Sequence, residues 1–139
     1  MFAESVVRRF VAAQVTYTGV FLDAASYAKL INWWEEHVKE PLHAKTFAHH
    51  MTIKFKPTEE EINALPLGEK ATLQVIGWGS DEKGQAVMVA PHGVESANKI
   101  PHITIACAPG TSPAYSNDLL AHGMTRVSGP TLTGTIEAR

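Results

Sequence analysis

Cysteine is nearly absent from this chain of 139 residues: Cys107 is the single example, so no disulfide can form within it. That thiol lies in the apolar stretch Ile103 to Ala108 and is expected to be buried and inert. Long apolar runs are missing as well. Nothing approaches the roughly 18 residues of a membrane-spanning helix, so no membrane partner is expected. Arg8 and Arg9 interrupt any signal-peptide core, which makes a cytoplasmic, reducing location the default. An excess of positive charge is absent too, since the formal net charge is −2. Affinity for long duplex nucleic acid comes mostly from phosphate neutralisation, so that class of partner is disfavoured. A small phosphate-bearing ligand needs only a local site and stays open. Lys45, Lys54, Lys56 and Arg126 could supply a local basic patch.

Several catalytic signatures are also missing. Structural zinc wants cysteine and histidine at close spacing, and seven histidines here face one cysteine. There is no H-E-x-x-H, no pair of histidines four apart on a helix, and no nucleophile-elbow G-x-S-x-G. Gly77-Trp78-Gly79-Ser80 has no following lysine and reads as part of a hairpin, not a phosphate loop. Neither a metal nor another cofactor is expected.

What is present fits one domain over residues 1–139, with apolar residues at 45% and charged residues at 19%. A monomer is the simplest expectation. Residues 2–13 suggest a short amphipathic helix through Phe2, Val6 and Phe10. Residues 14–22 are β-branched and aromatic, hence a strand with Tyr17, Gly19 and Phe21 on one face. Asp23 should cap a helix over 24–39 whose buried stripe is Tyr27, Leu30, Ile31, Trp34 and Val38. A strand follows at 46–55. Thr58 and Glu61 form a capping box for a short helix. Strands are expected at 70–78 and 85–90 around a hairpin loop, then at 101–107. A Pro-Gly turn, a short helix at 114–122 and one or two strands within 125–137 close the chain. The order implies the α+β class, mainly antiparallel.

One internal echo carries chemistry. His50-Met51-Thr52-Ile53 and His102-Ile103-Thr104-Ile105 repeat the same pattern 52 positions apart. On a strand, residues i and i+2 share a face. Each copy therefore pairs an imidazole with a hydroxyl on one face and two apolar residues on the other. Either copy alone is accounted for by a strand with a polar, wet face. Two matched copies on one sheet could bring two imidazoles and two hydroxyls to one surface. That set suits phosphoryl transfer: imidazole titrates near pH ~6.5, so one ring can accept a proton and the other donate one. Hydroxyls can donate to the phosphate oxygens where charge accumulates. Strand alternation selects His50 over its neighbour His49 as the partner of Thr52, unless a bulge swaps them.

These two motifs resemble the paired H-x-[ST]-x signatures of the two-histidine phosphoesterase superfamily, and in particular its RNA-ligase-like 2′,3′-cyclic phosphodiesterases. The resemblance implies a bilobal α+β fold with mainly antiparallel sheets, helices packed outside and the two H-x-T strands lining a central cleft. It implies metal-independent hydrolysis of a 2′,3′-cyclic phosphate RNA end or small cyclic nucleotide, with His50, Thr52, His102 and Thr104 as the catalytic four. Which histidine is the base is left open by the sequence, with a preference for His102 as base and His50 as acid. Tyr115 and Ser116, which follow the second motif, are candidates for binding substrate at the mouth of the site, with Tyr17 and Trp78 as further candidates and Phe55 and His92 behind them. Two other readings compete: a phage-type nuclease that cleaves cyclic oligonucleotide immune signals, and a non-catalytic nucleotide-binding module.

Overall fold

A computed structural model describes residues 14–139. The helix expected at 2–13 lies outside the described residues. The strands are β1 (Tyr17–Leu22), β2 (Lys45–Thr46), β3 (His50–Phe55), β4 (Lys70–Ser80), β5 (Gly84–His92), β6 (His102–Cys107), β7 (Thr125–Arg126) and β8 (Thr131–Ala138). The helices are α1 (Ala24–Trp33), which runs on into a π-helical turn at Trp34–Val38, α2 (Glu59–Asn63) and α3 (Tyr115–His122). This is a small α+β fold in which every strand pairing is antiparallel.

The pairings correct one expectation. Instead of more than one sheet, the eight described strands join a single sheet in the order β2-β6-β3-β1-β8-β4-β5, with β7 on β4. Because β6 pairs with β5 as well as β3, the run of neighbours returns on itself. Sequence patterning explains what lies inside. The alternate residues Met51, Ile53, Ile103 and Ile105 join Val20, Leu73, Val75, Val87, Leu132 and Ile136 in one apolar cluster. A second cluster forms where Leu119 and Leu120 of α3 cover Ala86.

Local chemistry sets the helix ends. Asp23 accepts from the Ser26 amide at 2.7 Å, and Thr58 and Glu61 make the reciprocal capping box. α1 is fixed across β8 by Ser26 Oγ, which accepts from the Thr133 amide at 2.8 Å. Leu30 and Trp34 are fully buried as the helical stripe requires, whereas Tyr27 is 39% exposed and sits at its margin. The helix stops at Lys39, in the left-handed region at φ 62°, before Pro41 is reached.

The segment expected as one strand at 46–55 is broken in two, and the break matters. Thr46 pairs with Ala106, and Met51 pairs with Ile103. The first strand advances further between these pairs than β6 does. Amides of Phe47 and Ala48 still bond to the carbonyls of Ile105 and Thr104, each at 2.8 Å. The surplus residues are therefore His49 and His50, introduced by Ala48 in the left-handed region at φ 57°. This is a bulge opposite β6 at the first motif.

Candidate active site

The two H-x-T strands are neighbours, and they pair antiparallel through their central residues, Met51 and Ile103. Both central residues are fully buried. By alternation the flanking His and Thr of each motif project from the opposite face. There they line one cavity of about 450 Å³, to which His50, Thr52, His102 and Thr104 all contribute. Tyr17, Phe47, His49, Phe55, Asn98 and Asn117 complete much of its wall.

His102 is held by its own local backbone. Its Nδ1 lies 2.7 Å from the Ile100 carbonyl, which can only accept, so Nδ1 carries the hydrogen and Nε2 keeps its lone pair. The residue is 8% exposed. Burial lowers its pKa below the ordinary imidazole value, and the Ile100 carbonyl partly opposes that. At neutral pH this is a neutral ring with a free basic nitrogen.

His50 sits in a different setting. Tyr17 and Phe21 of β1 lie against its ring at centroid distances of 5.0 and 5.1 Å. Gly19 between them makes the approach possible: a methyl there would stand 2.8 Å from the Met51 carbonyl oxygen and 3.6 Å from His50 Cδ2. The His49 ring lies beside it, with centroids 4.7 Å apart and planes 18° from parallel. Burial, then the charges of His49, Arg139 and His102, push the His50 pKa down to about 4. Arg139 itself lies over the Phe21 ring at 3.7 Å.

The two hydroxyls differ in the same way. Thr104 Oγ1 is 2.8 Å from Ser116 Oγ and can donate to the Pro113 carbonyl at 3.3 Å. Thr52 is tied down through its backbone, where its carbonyl accepts from Ser96 Oγ at 2.8 Å. Ala97 also donates to the Ile53 carbonyl at 2.7 Å, so the 93–99 loop is pinned along β3 and brings Asn98 to the cavity.

Tyr17 and Phe55 line the cavity, but Tyr115, Ser116, Trp78 and His92 are placed elsewhere. Tyr115 turns toward the β4–β5 hairpin and donates to Asp81 Oδ2 at 2.5 Å. Through that bond, burial and the Asp81 charge its pKa is pushed up to about 12. Ser116 is 3% exposed and stands behind Thr104, not at the mouth. Trp78 is half-buried and packs edge-on against Trp34 at 5.9 Å, at the margin of the core. His92 is exposed at the end of β5 and is absent from the cavity wall. Sequence reasoning missed Phe47, Asn98, Asn117 and the part played by His49. The doubled histidine was the available signal for His49; no comparable signal marks the asparagines.

Among the described residues no three His, Cys, Asp or Glu side chains are grouped so as to hold a metal ion. No described helix is long and apolar enough to cross a membrane.

Paired H-x-T strands that share one cavity on an antiparallel sheet are the arrangement of a two-histidine phosphoesterase. The family model of the fungal tRNA ligase phosphodiesterase domain matches residues 24–138, and the chain belongs to that family. Its matched domain is accordingly a hydrolase of the phosphodiesterase type. A solved structure described as a fungal RNA kinase shares the fold, with a TM-score of 0.58 at 16% identity. The match covers 87% of this chain and 41% of that one, so the chain spans about two fifths of its length. No curated protein matches the chain.

Proposed function

We propose that the protein hydrolyses a 2′,3′-cyclic phosphate at an RNA end, with His102 as general base and His50 as general acid. The observation that carries this reading is the tautomer of His102. Its Nδ1–H is committed to the Ile100 carbonyl, which leaves Nε2 to take a proton from water. As the water oxygen bonds to phosphorus, the proton passes to that nitrogen. The opposite P–O bond breaks, its electron pair stays on the ribose oxygen, and His50 Nε2–H protonates that oxygen. The product is a phosphomonoester beside a free hydroxyl, and solvent returns the two histidines to their starting states.

Charge on the non-bridging oxygens is met by the hydroxyls of Thr52 and Thr104. Thr104 can turn its hydrogen from Pro113 to phosphate while Ser116 donates into its oxygen, a chain in which each bond strengthens the next. The free protein holds His50 largely neutral near pH 7 because of its lowered pKa. An anionic phosphate in the cavity favours the imidazolium and raises that pKa, so substrate recruits its own acid. Tyr17, Phe47 and Phe55 offer faces on which the flanking nucleosides can stack.

The test is an oligoribonucleotide ending in a 2′,3′-cyclic phosphate, incubated with chelator in ¹⁸O-water, beside a 3′,5′-cyclic mononucleotide and a cyclic dinucleotide. The expected result is a monoester carrying one ¹⁸O from the first substrate only. Preference for the cyclic dinucleotide would replace this reading with cleavage of signalling oligonucleotides. Binding without turnover at any pH would leave only a nucleotide-binding module.

A further inference from the structure

We propose that His49, which belongs to neither H-x-T motif, is a positioning residue that accepts a hydrogen bond from His50 and thereby fixes the nitrogen from which His50 delivers its proton. The inference rests on the acid role given to His50 above.

The geometry is specific. His49 Nδ1 and His50 Nδ1 are 2.7 Å apart, and the rings stack at 4.7 Å with 18° between their planes. Two neighbouring side chains of a regular strand point to opposite faces. The bulge after Ala48 is what lets both rings reach the same cavity. His49 is steadied from its own side by the Phe47 ring, edge-on at 6.1 Å, and by its carbonyl, which accepts from the Leu22 amide at 2.9 Å.

Two ring nitrogens at that separation need one hydrogen between them, and each arrangement has a different chemical outcome. If His49 donates, His50 uses its Nδ1 lone pair and presents a neutral Nε2–H, which is a far weaker acid than imidazolium. If His50 donates, its Nδ1–H is occupied and Nε2 alone gains and loses the proton. The second arrangement keeps the same hydrogen bond in both protonation states, so nothing must rotate during turnover. His49 is then the neutral Nε2–H tautomer.

The pair also limits its own charge. The groups that face it are Arg139, whose charge acts on both rings, and His102, whose charge acts on His50. Tyr17 and Phe21, which carry no charge there, also lie against the His50 ring. Two protonated imidazoles in contact, beside a guanidinium, repel; the pair therefore takes up at most one extra proton in the working range and titrates as a unit. With substrate bound, that proton resides on His50, nearest the leaving oxygen.

The experiment uses the full chain with three variants, His49→Ala, His49→Asn and His50→Ala, assayed across pH on the cyclic-phosphate oligonucleotide. His49→Ala is expected to lose about 10- to 100-fold in kcat, part of the ~10²–10⁴ that acid–base catalysis contributes, with KM within about twofold and the kcat–pH profile displaced. His49→Asn, whose Oδ1 can accept in place of Nδ1, restores most of the rate. Wild-type kcat and an unmoved pH profile in His49→Ala, with His50→Ala inactive, would overturn the role of His49 and leave the assignment of His50 standing. Activity retained in His50→Ala would overturn both. Nitrogen-15 NMR of the wild type gives a readout independent of any variant's folding: a hydrogen on His50 Nδ1 and on His49 Nε2 is expected, and the reverse pair of tautomers would contradict the proposal.

Discussion

Strands β3 and β6 carry near-identical motifs and build unlike halves of one site. On β6 the histidine is 8% exposed and bonded to a carbonyl two residues away, and its threonine is backed by a buried serine. On β3 the histidine sits in a bulge, clasped by Tyr17 and Phe21 from β1 and bonded to another histidine. The threonine there owes its placement to a loop pinned through its carbonyl. The two copies thus supply the same functional groups with different supports. A fixed neutral tautomer suits a base, and a ring whose proton count responds to nearby charge suits an acid, so in the mechanism proposed above the support divides the labour that the motif leaves undivided.

The strongest way to probe that contrast short of the histidines is the hydroxyl pair. Thr52→Val and Thr104→Val are each expected to reduce kcat by about 10²-fold, the scale of one lost oxyanion donor. Ser116→Ala should cost less, and should cost nothing further in a Thr104→Val background, since it acts through Thr104 alone. An additive double mutant would show that Ser116 meets substrate by another route. Next in size, Gly19→Ala inserts a methyl 2.8 Å from the Met51 carbonyl oxygen and should destabilise the fold by about 1–3 kcal/mol while slowing turnover. Thermal melts together with kcat check this, and an unchanged rate would mean that the approach of Gly19 does not position His50.

Stability against pH compares the halves from another direction. The His50 pKa is lowered from 6.5 to about 4 in the folded chain, so between those values the unfolded chain binds more protons. Stability is full above pH ~6.5 and falls as the pH drops toward 4; the lowered values of His49 and His102 act with the same sign. Denaturant midpoints in His50→Phe should show a shallower fall over that window than the wild type. The smallest effect belongs to Tyr115→Phe. Losing the bond to Asp81 should lower the melting temperature only slightly and leave kcat unchanged, because that hydroxyl faces the hairpin and not the cavity.

Period and capping made much of this legible beforehand. Alternation in β3 and β6 put Met51 and Ile103 in the core and the His-Thr pairs on the opposite face, and that face is the cavity wall. Asp23 and Thr58 start their helices as their side chains dictate. The rest depended on long-range geometry. Proximity along the chain suggested that Tyr115 would reach the substrate, yet helix α3 rotates it toward Asp81 and turns Ser116 inward. Trp78 has the chemistry to stack on a base, but its place on β4 puts it against Trp34. Asn98 reaches the cavity only because Ser96 and Ala97 bond to β3, and no local pattern announces such a tether. The bulge at His49 and His50 rests on Ala48 adopting a left-handed backbone, a conformation that alanine itself does not favour.

The central claim is that the unlike halves act as one catalytic unit on a single cyclic phosphate. It is tested most directly by single-turnover rates of His50→Ala, His102→Ala and the double variant on the cyclic-phosphate oligonucleotide with chelator present. Each single variant should fall by about 10²–10⁴-fold and the double should fall scarcely further, because removing either partner already disables the concerted proton transfer. A single variant that keeps the wild-type rate, or losses that simply multiply in the double, would contradict the account.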